Sequence, residues 1–141
     1  MTRPNAFAGR NVAAAAAPSS GFTKTGPAQL AYTGVGVNAL STANYLVREG
    51  SVAFDGSAGA QTNTVQSTFS VAGMVNAVAT LTNTTLTVND NAVGNVVDSF
   101  GSMTVNNGTT LNVNSWLTLG DATNAVASFT LNGGTVNVPN G

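Results

Sequence analysis

No cysteine occurs in this chain, so there is no disulfide framework and no thiolate for catalysis or metal binding. Histidine is missing too. That removes the commonest general base, the commonest metal ligand and the one side chain that switches charge near neutral pH. Charge of either sign is scarce. The chain carries four cations (Arg3, Arg10, Lys24, Arg48) and five anions (Glu49, Asp55, Asp90, Asp98, Asp121), where soluble domains hold roughly a quarter charged residues. Four cations, none beyond Arg48, make no basic stripe, so nucleic-acid binding is not expected. No run is long and apolar enough to span a membrane, and membrane insertion is not expected either. The N-terminal MTRPNAFAGRNVAAAAAPSSG has no leucine-rich centre and does not read as a signal peptide.

What remains is a chain of 141 residues, long enough to bury one core without staples. Its surface must be built from Thr, Asn, Ser and Gly. Such a surface is wetted but weakly self-repelling, which favours association. A cysteine-free, Thr/Asn-rich body is expected to be extracellular or at the cell surface, covered by other copies of itself or by glycan. All cations lie in residues 1–48 and all anions in 49–141. Chance accounts for this among so few charges, and so does a basic arm meeting the acidic body of a neighbouring copy.

Residues 1–27 hold all prolines but Pro139 and the run Ala13–Ala17. They read as an extended N-terminal arm preceding a single β domain over 28–141. Ala31–Val37 suggests a strand. Asn38 is placed to cap a short helix running to Glu49, with Leu40, Ala43 and Leu46 or Val47 along one side, although Ser41, Thr42 and Asn44 weaken it. Ser51–Phe54 followed by Asp55-Gly56 reads as a strand entering a turn. From Thr64 onward apolar and polar residues alternate as in strands.

The alternation repeats. Thr85, Thr110 and Thr135 are 25 residues apart, as are Leu86, Leu111 and Val136, and Val88, Val113 and Val138. Thr87, Asn112 and Asn137 keep the same spacing. Met103 and Phe129, Val105 and Leu131, and Val93-Gly94 and Leu119-Gly120 are 26 apart. A fixed period of this size marks a stacked architecture. The expected fold is all-β: a short β-solenoid of about three strands per 25-residue coil, with apolar columns inside and an Asn column outside. The alternative is an antiparallel sandwich or jelly roll, in which Asn132-Gly133-Gly134 makes a hairpin turn setting Phe129 opposite Val136.

The stretches GSMTVNNGTTLNVNSWLTLGD and ASFTLNGGTVNVPNG, within residues 101–141, resemble the β-strand repeats of bacterial autotransporter-type surface proteins. The resemblance implies a parallel β-helical, surface-displayed, non-catalytic rod.

Residues suited to chemistry are few. A Ser–Lys dyad would have to use Lys24, the sole lysine. Asp90, Asp98 and Asp121 are the candidate carboxylates for glycosidic chemistry, which needs two of them to converge. Asp90 and Asp121 read first as turn residues. Asp90 and Asp98 with backbone carbonyls are the nearest approach to a Ca²⁺ site, but neither an EF-hand nor a calcium-binding nonapeptide is present. No catalytic residue, metal or cofactor is expected. Trp116, in SWLTL, reads as core or interface; exposed beside polar groups, it would point to glycan binding. Asn83 and Asn107 head sequons. Thr-x-Thr rows suited to ice are read at Thr80–Thr82 and Thr85–Thr87, their counterparts becoming Asn. The expected function is a structural subunit that self-assembles into an extracellular filament or surface layer through β-edges and the arm. Phe7, Phe22, Leu30, Tyr32, Val136 and Val138 are the expected assembly residues. The alternative is an adhesin or viral-fibre fragment that contacts glycan or a host surface.

Overall fold

The computed structural model describes residues 5–7, 21–41 and 43–140. Among them strands alone form, and no helix occurs. Every strand pairing is parallel, and the partners lie one coil apart in sequence. Consecutive strands do not pair with each other. The chain therefore winds as a β-solenoid of about five turns, as the 25-residue period predicts.

The coil has three faces. Face one stacks β1 (Asn5–Phe7), β3 (Gln29–Tyr32), β6 (Gly50–Asp55), β8 (Ala77–Thr82), β10 (Phe100–Asn106) and β13 (Val126–Asn132). Face two stacks β4 (Gly36–Ser41), the first half of β7 (Gln61–Val71), the first half of β9 (Thr84–Val93), β11 (Thr110–Val113) and β14 (Thr135–Asn137). Face three stacks β2 (Phe22–Lys24), β5 (Tyr45–Val47), the second halves of β7 and β9, and β12 (Leu117–Leu119). Two pieces of the expected arm thus lie in the sheets: residues 5–7 on face one and Phe22–Lys24 on face three. The remainder of residues 1–20 lies outside the described residues.

The apolar columns stand where the period puts them. Leu86, Leu111 and Val136 are in register, as are Met103 with Phe129 and Val105 with Leu131. Val88 and Val113 pair and are buried, and Val138 packs partly buried against the core. The turn at Asn132-Gly133-Gly134 is not a hairpin, because β13 and β14 belong to different sheets. It is the corner from face one to face two. Asn83, Gly108 and Gly133, 25 residues apart, all take positive φ there (47°, 74° and 79°). Glycine fits that conformation freely, and asparagine tolerates it better than other side chains. Tight packing appears at Gly101, where an added Cβ would collide with the Val71 carbonyl oxygen.

The helix expected over Asn38–Glu49 does not form. Its residues supply β4 and β5. Tyr45 and Val47 point inward and Leu46 outward, a period of two that overrides the weak helical stripe. The strand expected over Ala31–Val37 is divided by the corner between β3 and β4.

Inside the early coils the columns turn polar and aromatic. Below Leu86 on face two stands Asn63, and below it Asn38. Asn63 Nδ2 donates to Gln61 Oε1 (2.9 Å) and Thr84 Oγ1 (3.0 Å), its Oδ1 accepts from Asn38 Nδ2 (3.1 Å), and Gln61 Nε2 donates to the carbonyls of Tyr32 and Gly34. This network is closed, which a buried polar group requires. Beside it Tyr32 stacks on Phe54 (5.0 Å between centroids), Tyr45 packs on Phe69 (5.4 Å), and the two phenol oxygens share a hydrogen bond of 2.9 Å. Asn91 is the exception. It interrupts the column between Phe69 and Leu117, its Nδ2 reaches the Phe69 carbonyl at 3.3 Å, and its buried Oδ1 has no partner.

These two buried asparagines should respond oppositely to one substitution. Asn91→Leu removes an unsatisfied acceptor and should raise stability by about 1 kcal/mol, whereas Asn63→Leu removes three hydrogen bonds, leaves Asn38 Nδ2 without its partner and should lower stability by more than that. Thermal unfolding followed by circular dichroism reads both. Both tyrosines of the chain sit in this core, and burial raises their pKa above the ordinary value of 10.0. The unfolded chain releases phenolic protons that the folded chain holds. Their stabilising contribution is therefore complete below pH 10 and declines above it. Tyrosinate absorbance should rise only together with unfolding, and a rise in the folded protein at its unperturbed pKa would refute this.

Candidate functional site

With the interior filled, chemistry must come from the outside, and the corners differ sharply. The corner from face three to face one is built by the segments 25–28, 48–49, 72–76, 94–99 and 120–125. Met74 (70 % exposed), Val75, Val97, Phe100 and Val126 stand outward along it over three successive coils. Phe100 and Val126 are register partners, and Phe100 also bridges to Gly73. A shallow cavity of about 260 Å³ opens at the N-terminal end of this strip, between Arg48, Glu49, Met74, Val75 and Val96. Arg48 donates to the Ala72 carbonyl (2.9 Å) and to Ser70 Oγ (3.2 Å), and partial burial lowers its pKa. Glu49 accepts the Gly26 amide (3.0 Å).

The corner from face two to face three is polar, with one large exception. Trp116 is 63 % exposed, so it is not a core residue. Its amide donates to Asp90 Oδ1 (3.3 Å), Asn89 Nδ2 donates to Asp90 Oδ2 (2.9 Å), and its carbonyl accepts the Asn91 amide (2.8 Å). Asn114 and Ser115 precede it, their amides held by the carbonyls of Val88 and Asn89. Trp116 is thus an exposed side chain on a corner whose backbone amides are held, one of them by the Asp90 carboxylate.

The other acidic candidates lie elsewhere. Asp98 and Asp121 belong to the face three to face one corner, one coil apart, away from Asp90. Asp98 takes a left-handed conformation (φ 55°) and accepts from Asn124 Nδ2 (2.9 Å), which has the same conformation one coil on. Asp55 closes a turn with Ser57, whose side chain first and backbone amide second lower the carboxyl pKa by hydrogen bonding to it. No cluster of three acidic residues suited to a metal occurs among the described residues. Lys24 is buried in β2, its ammonium held by the carbonyls of Thr25, Gly26 and Glu49.

The expected assembly residues fall at the two ends of the rod. Phe22 packs on Tyr45 (4.7 Å) yet remains 37 % exposed, and Leu30 and Tyr32 are partly buried in the first full coil. Phe7 stands at the register position of Tyr32, and its side chain lies outside the described residues. Val136 and Val138 are partly buried in the fifth coil. The sequon residues Asn83 and Asn107 share one corner. Asn83 Nδ2 donates to the Gly56 carbonyl (2.8 Å), and Asn107 Oδ1 accepts the Gly108 amide (3.0 Å). The exposed corner strip was not legible in sequence, because Met74 and Val75 fall in a five-residue corner and Val97 in a six-residue one, and only Phe100 and Val126 keep the 26-residue spacing. Compared with known proteins, the chain matches no family model, no curated protein and no solved structure.

Proposed function

We propose that the protein is a structural, non-catalytic β-rod that associates with copies of itself into an extracellular filament or layer. The observation that carries this reading is the apolar strip of Met74, Val75, Val97, Phe100 and Val126 along one corner of an otherwise charge-poor rod. Contiguous exposed apolar side chains on a polar surface mark an interaction site. The strip runs parallel to the axis, so two rods laid side by side bury it along their length.

The strand edges support axial contacts as well. In this chain β12, β13 and β14 are each paired on one side, and inward-facing Leu119 and Leu131 are half exposed there. Open edges of this kind template strand addition, and neither Lys nor Arg guards them. The chain's own continuation and a neighbouring copy would satisfy such an edge equally, so the edge ranks second to the strip. The N-terminal segment is suited to strand exchange, since β1 already adds to face one by parallel pairing.

Electron microscopy and sedimentation at neutral pH test the reading. The intact chain should assemble. Val75→Asp/Val97→Asp, both outside the core, should disperse it without changing its circular dichroism, and removal of residues 1–20 should shorten or weaken the assemblies. A monomeric intact chain would overturn the proposal.

Trp116 favours a second reading, glycan binding. An exposed indole offers a sugar a stacking face, and the nearby Asp90 carboxylate, which holds the Trp116 amide, keeps acceptor capacity for a hydroxyl. Glycan-array binding that Trp116→Ala abolishes, with unchanged thermal stability, is the expected result. Absence of binding by the intact chain rejects it.

A further inference from the structure

Face two carries a regularity that neither the strip nor Trp116 uses. Beyond β4, whose Val37 heads the first of them, its outward positions form two straight columns. Thr62, Thr85, Thr110 and Thr135 stand in register, and two residues along the strands so do Thr64, Thr87, Asn112 and Asn137. Rungs are about 4.8 Å apart, and alternate residues about 6.7 Å apart along a strand. Four successive rungs thus present Thr-x-Thr, Thr-x-Thr, Thr-x-Asn and Thr-x-Asn as a flat grid.

Three properties distinguish this grid from an ordinary wet sheet surface. It is rigid: Asn137 Nδ2 donates to Asn112 Oδ1 (2.8 Å), Asn112 Nδ2 donates to Thr87 Oγ1 (3.4 Å), and buried Leu86, Val88, Leu111 and Val113 back it. The threonines are β-branched, which restricts their side-chain rotation. It is uncharged: none of the residues in β4, β11, β14 or the first halves of β7 and β9 is ionisable. And it is chemically unspent: Thr62, Thr85, Thr110 and Thr135 make no side-chain hydrogen bond to other described residues, so each offers water a hydroxyl beside a methyl group. Face one repeats the device on a smaller scale. There Thr80, Thr104 and Thr130 stand beside the ladder Thr82, Asn106 and Asn132, joined at 3.0 and 3.2 Å.

The sequence expectation was that asparagine breaks the threonine rows. A third Thr-x-Thr row stands at Thr62 and Thr64, and each asparagine lies in the column of its threonine counterpart, Asn112 and Asn106 tied to the threonine one coil earlier and Asn137 and Asn132 to the asparagine one coil earlier. The rows are therefore continued.

From this geometry we infer that face two binds crystalline water. A rigid grid of hydroxyls and amides holds its bound waters in rows with the grid's own repeat. Liquid water has no such rows, whereas an ice surface does. A surface that carries waters already ordered in rows adsorbs to a growing ice plane and blocks its advance. The inference does not rest on the assembly reading, because the grid and the apolar corner occupy different parts of the coil.

The test uses the whole chain in a nanolitre osmometer, with ice-recrystallisation assays alongside. The intact protein should shape ice crystals, open a gap between melting and freezing, and suppress recrystallisation. Thr85→Lys/Thr110→Lys, both outward on face two, should lose all three effects while keeping the far-ultraviolet spectrum and melting temperature of the parent. Val75→Asp/Val97→Asp should keep them, which separates ice adsorption from assembly. Unshaped crystals with the intact chain, or undiminished activity in the folded lysine variant, would overturn the inference.

Discussion

Everything in this rod follows from the parallel ladder between coils. Once strand n+1 lies in register on strand n, each side chain must stand above the one that occupies the same position a coil earlier. Choices are then made by column. Face one runs Leu30, Val52, Ala79, Met103, Phe129, so the small Ala79 lies between larger neighbours. Face three runs Phe22, Tyr45, Phe69, Asn91, Leu117, three aromatics in succession and then a polar residue. Close packing demands that large and small alternate across the three faces, and the aromatic contacts between Tyr32, Phe54, Tyr45 and Phe69 show how the early coils meet that demand.

The same constraint separates inside from outside. Inward columns are fixed by volume and by hydrogen-bond closure, as at Asn63. Outward columns are free to take any residue that tolerates a strand. A chain that places Thr, Asn and Ser on most outward strand positions of its later coils, and gathers most of its large exposed apolar side chains at corners and coil ends, with Val37 in β4 the exception, has arranged its surface by region. Faces meet water, one corner is greasy, and another carries a solitary indole.

The later coils were legible in sequence because their inward strand positions are apolar but for Thr84 and Asn91 and their lengths nearly constant. Leu86, Leu111 and Val136 announce the period unaided. The early coils were not, for two physical reasons. Asn38, Asn63 and Gln61 occupy inward positions, so the polarity pattern inverts just where the network is buried. The coil length also varies, from 22 residues between Leu30 and Val52 to 27 between Val52 and Ala79. The helix expected after Asn38 is a product of the same blindness: with the column residues disguised, local spacing was all that remained. Trp116 was misread toward the core because apolar neighbours in SWLTL suggested burial, whereas it sits one residue before the strand begins, on the bend.

The variable length is absorbed at the corners, and most of all at one of them. The passage from face three to face one takes two residues at 48–49, five at 72–76 and six at 94–99 and 120–125, while the strands on either side keep their register. Growth or loss of chain at this corner leaves the stack untouched. It is the natural port for grafting: a foreign loop inserted between Val93 and Phe100 would be carried outward on a rigid shaft, at a fixed angle and with no demand on the core, making the rod a display scaffold as well as a structural element.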